Sequence, residues 1–128
     1  MKLIIDSSII IDNLRGGHVW DNILDDLEQK NVEIYLPTAI IFEIFSGKST
    51  LKSSTLTKID NIFKNMKRLD LTENIARRAG ELFRDMRMNI QAIDYFIAAS
   101  ALEIGAIVAT LNKKDFEKIP SLQIYPLD

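Results

Sequence analysis

The chain has 128 residues, 47% of them hydrophobic and 27% charged, enough for one domain with an ordinary core. It has no cysteine and a single histidine, which excludes disulfides, thiolate nucleophiles, Cys-based zinc sites and any two-histidine acid–base mechanism. A net charge of −2 argues against holding nucleic acid by overall charge, so a polyanionic substrate would need local basic patches and bound cations.

Met1–Asp6 (MKLIID) reads as a buried strand. Asp6 and Asp12 interrupt the apolar start, and no small-residue cleavage site follows, so it is not read as a signal peptide. Ser8–Leu14 reads as a short helix stopped by Gly16–Gly17, and Val19–Lys30 as a helix with Trp20, Ile23, Leu24 and Leu27 at helical spacing. Val32–Leu36 is a second strand. Thr38–Phe45 is an apolar helix that ends near Gly47, and Lys48–Ser54 is a polar loop. Leu56–Lys64 is an amphipathic helix and Lys67–Leu71 a third strand. Thr72 and Glu73 open a helix running through Ala76, Ala79, Leu82, Phe83 and Met86. A helix over Ile93–Ile104 ends at Gly105, Ala106–Thr110 is a fourth strand, and Gln123–Pro126 a weak fifth.

Strands alternating with helices predict one α/β domain over residues 1–128, a central parallel sheet of four to five strands with helices on both faces. No apolar run reaches the roughly 20 residues of a membrane span, and a chain without cysteine suits a reducing cytoplasm. In such sheets the site lies beyond the carboxyl ends of the strands, which turns attention to the polar residues there.

Four acids stand out. Asp6 ends the first strand among isoleucines and is either an N-cap or a ligand. Glu43 is the only charge in PTAIIFEIFSG, and an ionised carboxylate on so apolar a helix is costly unless paired or bound to metal. Asp94 opens the apolar helix IDYFIAASALEIG, again as cap or ligand. Asp115 follows the fourth strand in TLNKKDF, with Thr110 and Asn112 on the same rim. Two such charges about 4 Å apart repel by roughly 4 kcal/mol at an effective dielectric near 20, so a fold that gathers them implies a cation. Oxygen donors without His or Cys select magnesium or manganese over zinc and suit phosphodiester hydrolysis by an activated water. His18 beside Asp21 reads as an exposed loop pair, and no glycine-rich nucleotide-cradling loop is present.

At these residues the chain resembles the PIN-domain family, specifically the ribonuclease toxins of VapBC-type toxin–antitoxin pairs. MKLIIDSSIIID is similar to the family's first motif, IIFEIFSG to its second, DYFIAASALEIG to its third and VATLNKKDFEKIPSLQIYPL to its C-terminal stretch. The match covers essentially the whole chain in the right order. The resemblance implies a PIN domain in which Asp6, Glu43 and Asp94 hold Mg2+, with Mn2+ a possible substitute. It puts the fourth acid at Asp115, while some relatives place an acid where this chain has Asn112. It gives Thr110, with Ser7 or Ser8, a supporting role toward metal or water. It further implies magnesium-dependent endonucleolytic cleavage of RNA leaving a 5′-phosphate and a 3′-hydroxyl, a homodimer, and inhibition by a cognate antitoxin that carries the DNA-binding part.

Candidate RNA contacts are Lys113 and Lys114 beside Asp115, Arg15, Arg84 and Arg87, with Lys48 and Lys52 in the polar loop; the plain alternative for each is a solvated surface charge. The apolar residues of 56–66 and 9–14 are core, or part of an antitoxin groove or dimer interface. Two other classes stay open. A receiver-type phosphoacceptor domain would use Asp70 but lacks the paired acids after strand one and the Lys after strand five. A non-catalytic PIN-like binding module would keep the fold without cleavage.

Overall fold

The computed structural model describes residues 1–127. Five strands, β1 (Lys2–Ile5), β2 (Glu33–Pro37), β3 (Lys67–Leu69), β4 (Ile107–Ala109) and β5 (Gln123–Ile124), form one sheet in the order β3-β2-β1-β4-β5. Every pairing is parallel, with Leu3 beside Ile34 on one side and Ile107 on the other. Helices α1 (Ser7–Leu14), α2 (Val19–Leu27), α3 (Thr38–Phe45), α4 (Ser53–Phe63), α5 (Glu73–Met86), α6 (Ala92–Ile104) and α7 (Lys113–Phe116) connect them, with one 3-10 turn over Lys48–Leu51.

Leu3, Ile4 and Ile5 are consecutive and all fully buried. Successive strand residues point to opposite faces, so both faces of β1 are covered, which is why the strand reads as a continuous apolar run. Chain order runs outward from β1 to β3, then returns to β4 on the other side of β1. The order therefore reverses between β1 and β4, and the crevice above their carboxyl ends is where such a sheet offers a site.

α6 is the central helix. Ile97, Ala98, Ala99 and Ala101 are buried along it, and the small alanine side chains let it lie close on α5, β1 and β4. Gly105 at φ +69° ends it in the left-handed turn that costs other residues most. Thr72 caps α5, its hydroxyl accepting the Ile75 N–H at 3.2 Å.

The structure departs from the expected elements at three places. The polar stretch after Gly47 is a 3-10 turn followed at once by α4 from Ser53, three residues earlier than expected. α3 is not apolar all round for burial: Phe42 and Phe45 are exposed while Ile40 and Ile44 face the core. Residues 113–116, to which the sequence reading gives no element, form the short helix α7, with Phe116 drawn into the core and Asp115 N donating to Asn112 O at 2.9 Å. Among the described residues no helix is long and apolar enough to cross a membrane.

Candidate active site

Each acid arrives on a different element. Asp6 follows β1 directly, Glu43 lies on α3 after β2, Asp94 stands in the first turn of α6, and Asp115 is on α7 after β4. Asp6 is 2% exposed. It occupies the N-cap position of α1, yet its side chain caps nothing. Its Oδ2 instead accepts the Ser8 hydroxyl at 2.7 Å and the Thr110 hydroxyl at 2.7 Å. The Asp6 side chain therefore caps no helix N–H; it is held instead by the Ser8 and Thr110 hydroxyls.

Glu43 is half-buried, and its Oε1 is fully buried with no hydrogen-bond partner. An unpaired carboxylate oxygen in such a place costs about 1–3 kcal/mol or more, so an uncompensated acceptor faces inward. Asp94 is also half-buried. It belongs to a capping box in which Gln91 is the N-cap and Asp94 Oδ2 accepts the Gln91 N–H at 3.3 Å. Burial chiefly, then the Asp6 charge, push the Asp94 carboxyl up to about 6; Asp115 and Glu43 push the same way, and the Gln91 N–H opposes them. All three other acids therefore act on Asp94 through space.

The four do not form a closed cage. Among the described residues no group of three or more His, Cys, Asp or Glu side chains is gathered tightly enough to hold a metal ion outright. The donor set still fits a hard divalent cation: all oxygens, no sulfur or nitrogen, one of them buried and unpartnered. Magnesium keeps several waters and takes only one or two carboxylates directly, so an open arrangement accommodates it.

The remaining expected residues divide. It is Ser8, not Ser7, whose hydroxyl reaches Asp6; Ser7 is buried in the first turn of α1 and makes no hydrogen bond to Asp6. Asn112 is exposed, and its backbone N–H donates to Thr110 Oγ1 at 2.9 Å. Lys113 and Lys114 are exposed and line a shallow pocket with Leu111, Asn112 and Asp115. Arg15 is exposed at the end of α1. Arg84 is engaged by Asp85 at 2.7 Å, and Arg87 lies 5.0 Å over the Phe83 ring at the left-handed end of α5; neither bonds to the acids. Lys48 and Lys52 are exposed at either end of the segment from the 3-10 turn to α4. His18 is 81% exposed, 3.5 Å from Asp21, away from any buried base position. Asp70 is exposed after the edge strand β3, with β2 between it and β1. A phosphoacceptor there would not share a pocket with Asp6. Of the two serines the resemblance offers, Ser8 stands two residues past Asp6 across the strand-to-helix turn, and that spacing favours it.

A parallel α/β sheet with acids meeting above its reversal point defines a small acid-pocket domain. A family model described as PIN domain matches residues 3–122. The chain is 33% identical over 126 residues to Ribonuclease VapC19 of Mycobacterium tuberculosis, covering 96% of this chain and 98% of that protein. In fold it is similar to VapBC2 from Rickettsia felis, solved bound to a DNA fragment from its promoter, with a TM-score of 0.85 at 24% identity and both chains fully covered. It is also similar to Mycobacterium tuberculosis VapC20, a Sarcin-Ricin loop cleaving toxin, with a TM-score of 0.72 at 13% identity, covering 97% of this chain and 99% of that one. The chain belongs to the PIN-domain family, on its VapC-type branch. The receiver-domain alternative is thereby set aside.

Proposed function

We propose that the protein is a divalent-metal-dependent endoribonuclease, the toxin of a type II toxin–antitoxin pair. The observation that carries this reading is the buried, unpartnered Glu43 Oε1, together with an Asp94 carboxyl raised by burial and by the charges of Asp6, Asp115 and Glu43. A fold that tolerates both costs is built for a cation. The ribonuclease activity named for the 33% identical relative supports RNA as the substrate.

Asp6, Glu43 and Asp94 would hold Mg2+ or Mn2+, with Asp115 completing the set. When bound, the ion would supply charge neutralisation at the phosphate and activation of a water for in-line attack, leaving a 5′-phosphate and a 3′-hydroxyl. The chain's own contribution is placement. Ser8 and Thr110 fix Asp6, the capping box fixes Asp94, and α3 delivers Glu43 from the neighbouring strand. Lys113 and Lys114 line a surface pocket with Asp115, from which they could meet phosphates of the RNA near the cut. The VapBC complexes among the similar structures, some bound to DNA, support a cognate antitoxin as partner with DNA reached through it; a homodimer and a cytoplasmic site of action are proposed with it on the family resemblance.

Mapping RNA 5′ ends after incubation with the purified protein tests this. Discrete ends bearing a 5′-phosphate, formed with Mg2+ and absent with a chelator, are expected. A full set of discrete cuts in the presence of chelator, or a fold-intact protein that never cuts, would favour another reading, the latter a non-catalytic binding module.

A further inference from the structure

A second cavity adjoins the acids. It holds about 390 Å3 and lies beyond the carboxyl ends of β4 and β5, against α2. Leu111, just past β4, lines it and also lines the shallow pocket of Lys113, Lys114 and Asp115. The Leu111 N–H donates to Ser8 Oγ at 3.0 Å, and the Ser8 hydroxyl donates to Asp6. The two hollows therefore share a wall that is tied to the first acid through one hydroxyl. A polymer held with one phosphate at the acids would bring a neighbouring residue over this cavity.

The lining has two parts. Val19, Leu111 and Pro126 are apolar, and Leu111 is 45% exposed. Asn22, Asp26 and Tyr125 supply the polar groups. Asn22 and Asp26 are four apart on α2, hence on one face of it. Tyr125 is buried, its N–H donates to Val108 O at 2.8 Å, and its hydroxyl donates to Asp26 Oδ2. Among the described residues Asp26 Oδ1 accepts no hydrogen bond, and no Lys, Arg or His lines the cavity. An ionised carboxylate has about four lone-pair sites, so both Asp26 oxygens keep room for a donor.

This pattern selects a ligand. A cavity with a carboxylate and no cation does not suit a phosphate. Its apolar walls suit the flat face of a base, and single-stranded RNA is read by splayed bases held on their Watson–Crick edges. On that edge uracil, adenine and cytosine place an acceptor beside each donor. Guanine alone presents two adjacent donors, N1–H and the N2 amino group, with O6 next to them as acceptor. A carboxylate takes two such donors side by side, and the Asn22 amide has a donor for O6.

We propose that this cavity is a guanine-reading subsite for a nucleotide beside the cut, with Asp26 accepting from the guanine N1–H and N2 amino group. This rests on the reading of the chain as a ribonuclease. Phosphate contacts such as those of Lys113 and Lys114 carry no sequence information, so the choice of base falls to Asp26.

Guanosine and adenosine monophosphates are titrated into the full chain in a metal chelator, with the backbone amides followed by NMR. A randomised RNA pool is cut separately with Mg2+ and its ends are sequenced. Guanosine monophosphate is expected to shift the Asn22, Leu111 and Tyr125 amides and to bind about tenfold tighter than adenosine monophosphate. Inosine monophosphate, which lacks only the N2 amino group, is expected to fall between them. In the pool, guanine is expected to be enriched about tenfold at one position next to the cut. Asp26→Asn should abolish both preferences. Tyr125→Phe keeps the carboxylate and should retain them, a separation that a merely structural tie between the two residues would not give. Equal binding of the nucleotides, a pool cut with no base preferred, preferences unchanged in Asp26→Asn, or preferences lost equally in Tyr125→Phe overturn the proposal. So do shifts of the same amides by arginine amide with none from the nucleotides, which would make the cavity a seat for a protein side chain. Guanine-selective binding that disappears in Asp26→Asn, in a wild type that cuts no RNA, overturns the ribonuclease reading and leaves the guanine site standing.

Discussion

Replacing Asp94 by asparagine should make the metal-free protein more stable, and only at neutral and alkaline pH. Burial and the neighbouring acids push the Asp94 carboxyl from 3.8 up to about 6. Each pKa unit is about 1.4 kcal/mol, so the full difference is roughly 3 kcal/mol, reduced to about 1–3 for a half-buried group. The folded chain holds this proton more tightly than the unfolded chain, so unfolding releases it between these two values. Stability from the group is therefore fully present below about pH 4 and is lost as pH rises through about 6. At pH 8 the wild-type chain bears the whole penalty, and Asp94→Asn does not. The asparagine keeps an oxygen for the Gln91 N–H, so the capping of α6 survives. Urea unfolding in a metal chelator should show the variant about 1–3 kcal/mol more stable at pH 8 and equal to wild type near pH 4. Added Mg2+ should narrow or reverse the gap at pH 8, because an ion that binds only the folded wild type stabilises it by mass action. A difference that does not change between pH 4 and pH 8, or a variant less stable at pH 8, would refute the reasoning.

Other predictions concern the frame and the rim. A Cβ at Gly17 would lie 2.2 Å from Asp12 Oδ2, the oxygen that accepts the Val19 N–H at 3.3 Å and so anchors the start of α2. Gly17→Ala should cost about 1–2 kcal/mol, and in a double-mutant cycle by thermal melting the pair with Asp12→Ala should cost less than the sum of the two; strict additivity would contradict the clash. Tyr125 donates its hydroxyl to Asp26, which pushes the phenol up to about 12. The stability it lends is present below pH 10 and lost as pH rises through 12, so absorbance titration should show a phenol titrating near 12 that is absent in Tyr125→Phe. Lys113→Ala with Lys114→Ala should leave the melting temperature almost unchanged and lower the salt slope of RNA binding by about 1.4, the single-strand value for two phosphates; an unchanged slope would remove both residues from the RNA path.

Much of the fold was legible because parallel strands buried on both faces read as unbroken apolar runs, as MKLII and AIVAT do here. The acids were legible as lone charges in apolar surroundings, Glu43 most of all. Other features depend on tertiary context that spacing does not carry. α7 is four residues long, too short for periodicity, and exists because Phe116 is pulled inward. Phe42 and Phe45 looked like core from composition, yet the side of α3 they occupy is uncovered by the rest of the chain. Arg84 looked free, but its guanidinium folds back onto the next residue, Asp85. The two hydroxyls on Asp6 come from residues 102 positions apart, so only the β1–β4 pairing reveals that they share one oxygen.

The central question is whether the acids hold a metal that cuts RNA. The most direct measurement is the initial rate of RNA cleavage against Mg2+ concentration for wild type and Glu43→Gln, which keeps the side chain's size and removes the charge. Wild type should show saturable Mg2+ dependence and the variant a loss of at least about 100-fold, with its fold intact. Equal rates in the two proteins, or wild-type cleavage indifferent to Mg2+, would contradict a metal site built on these acids.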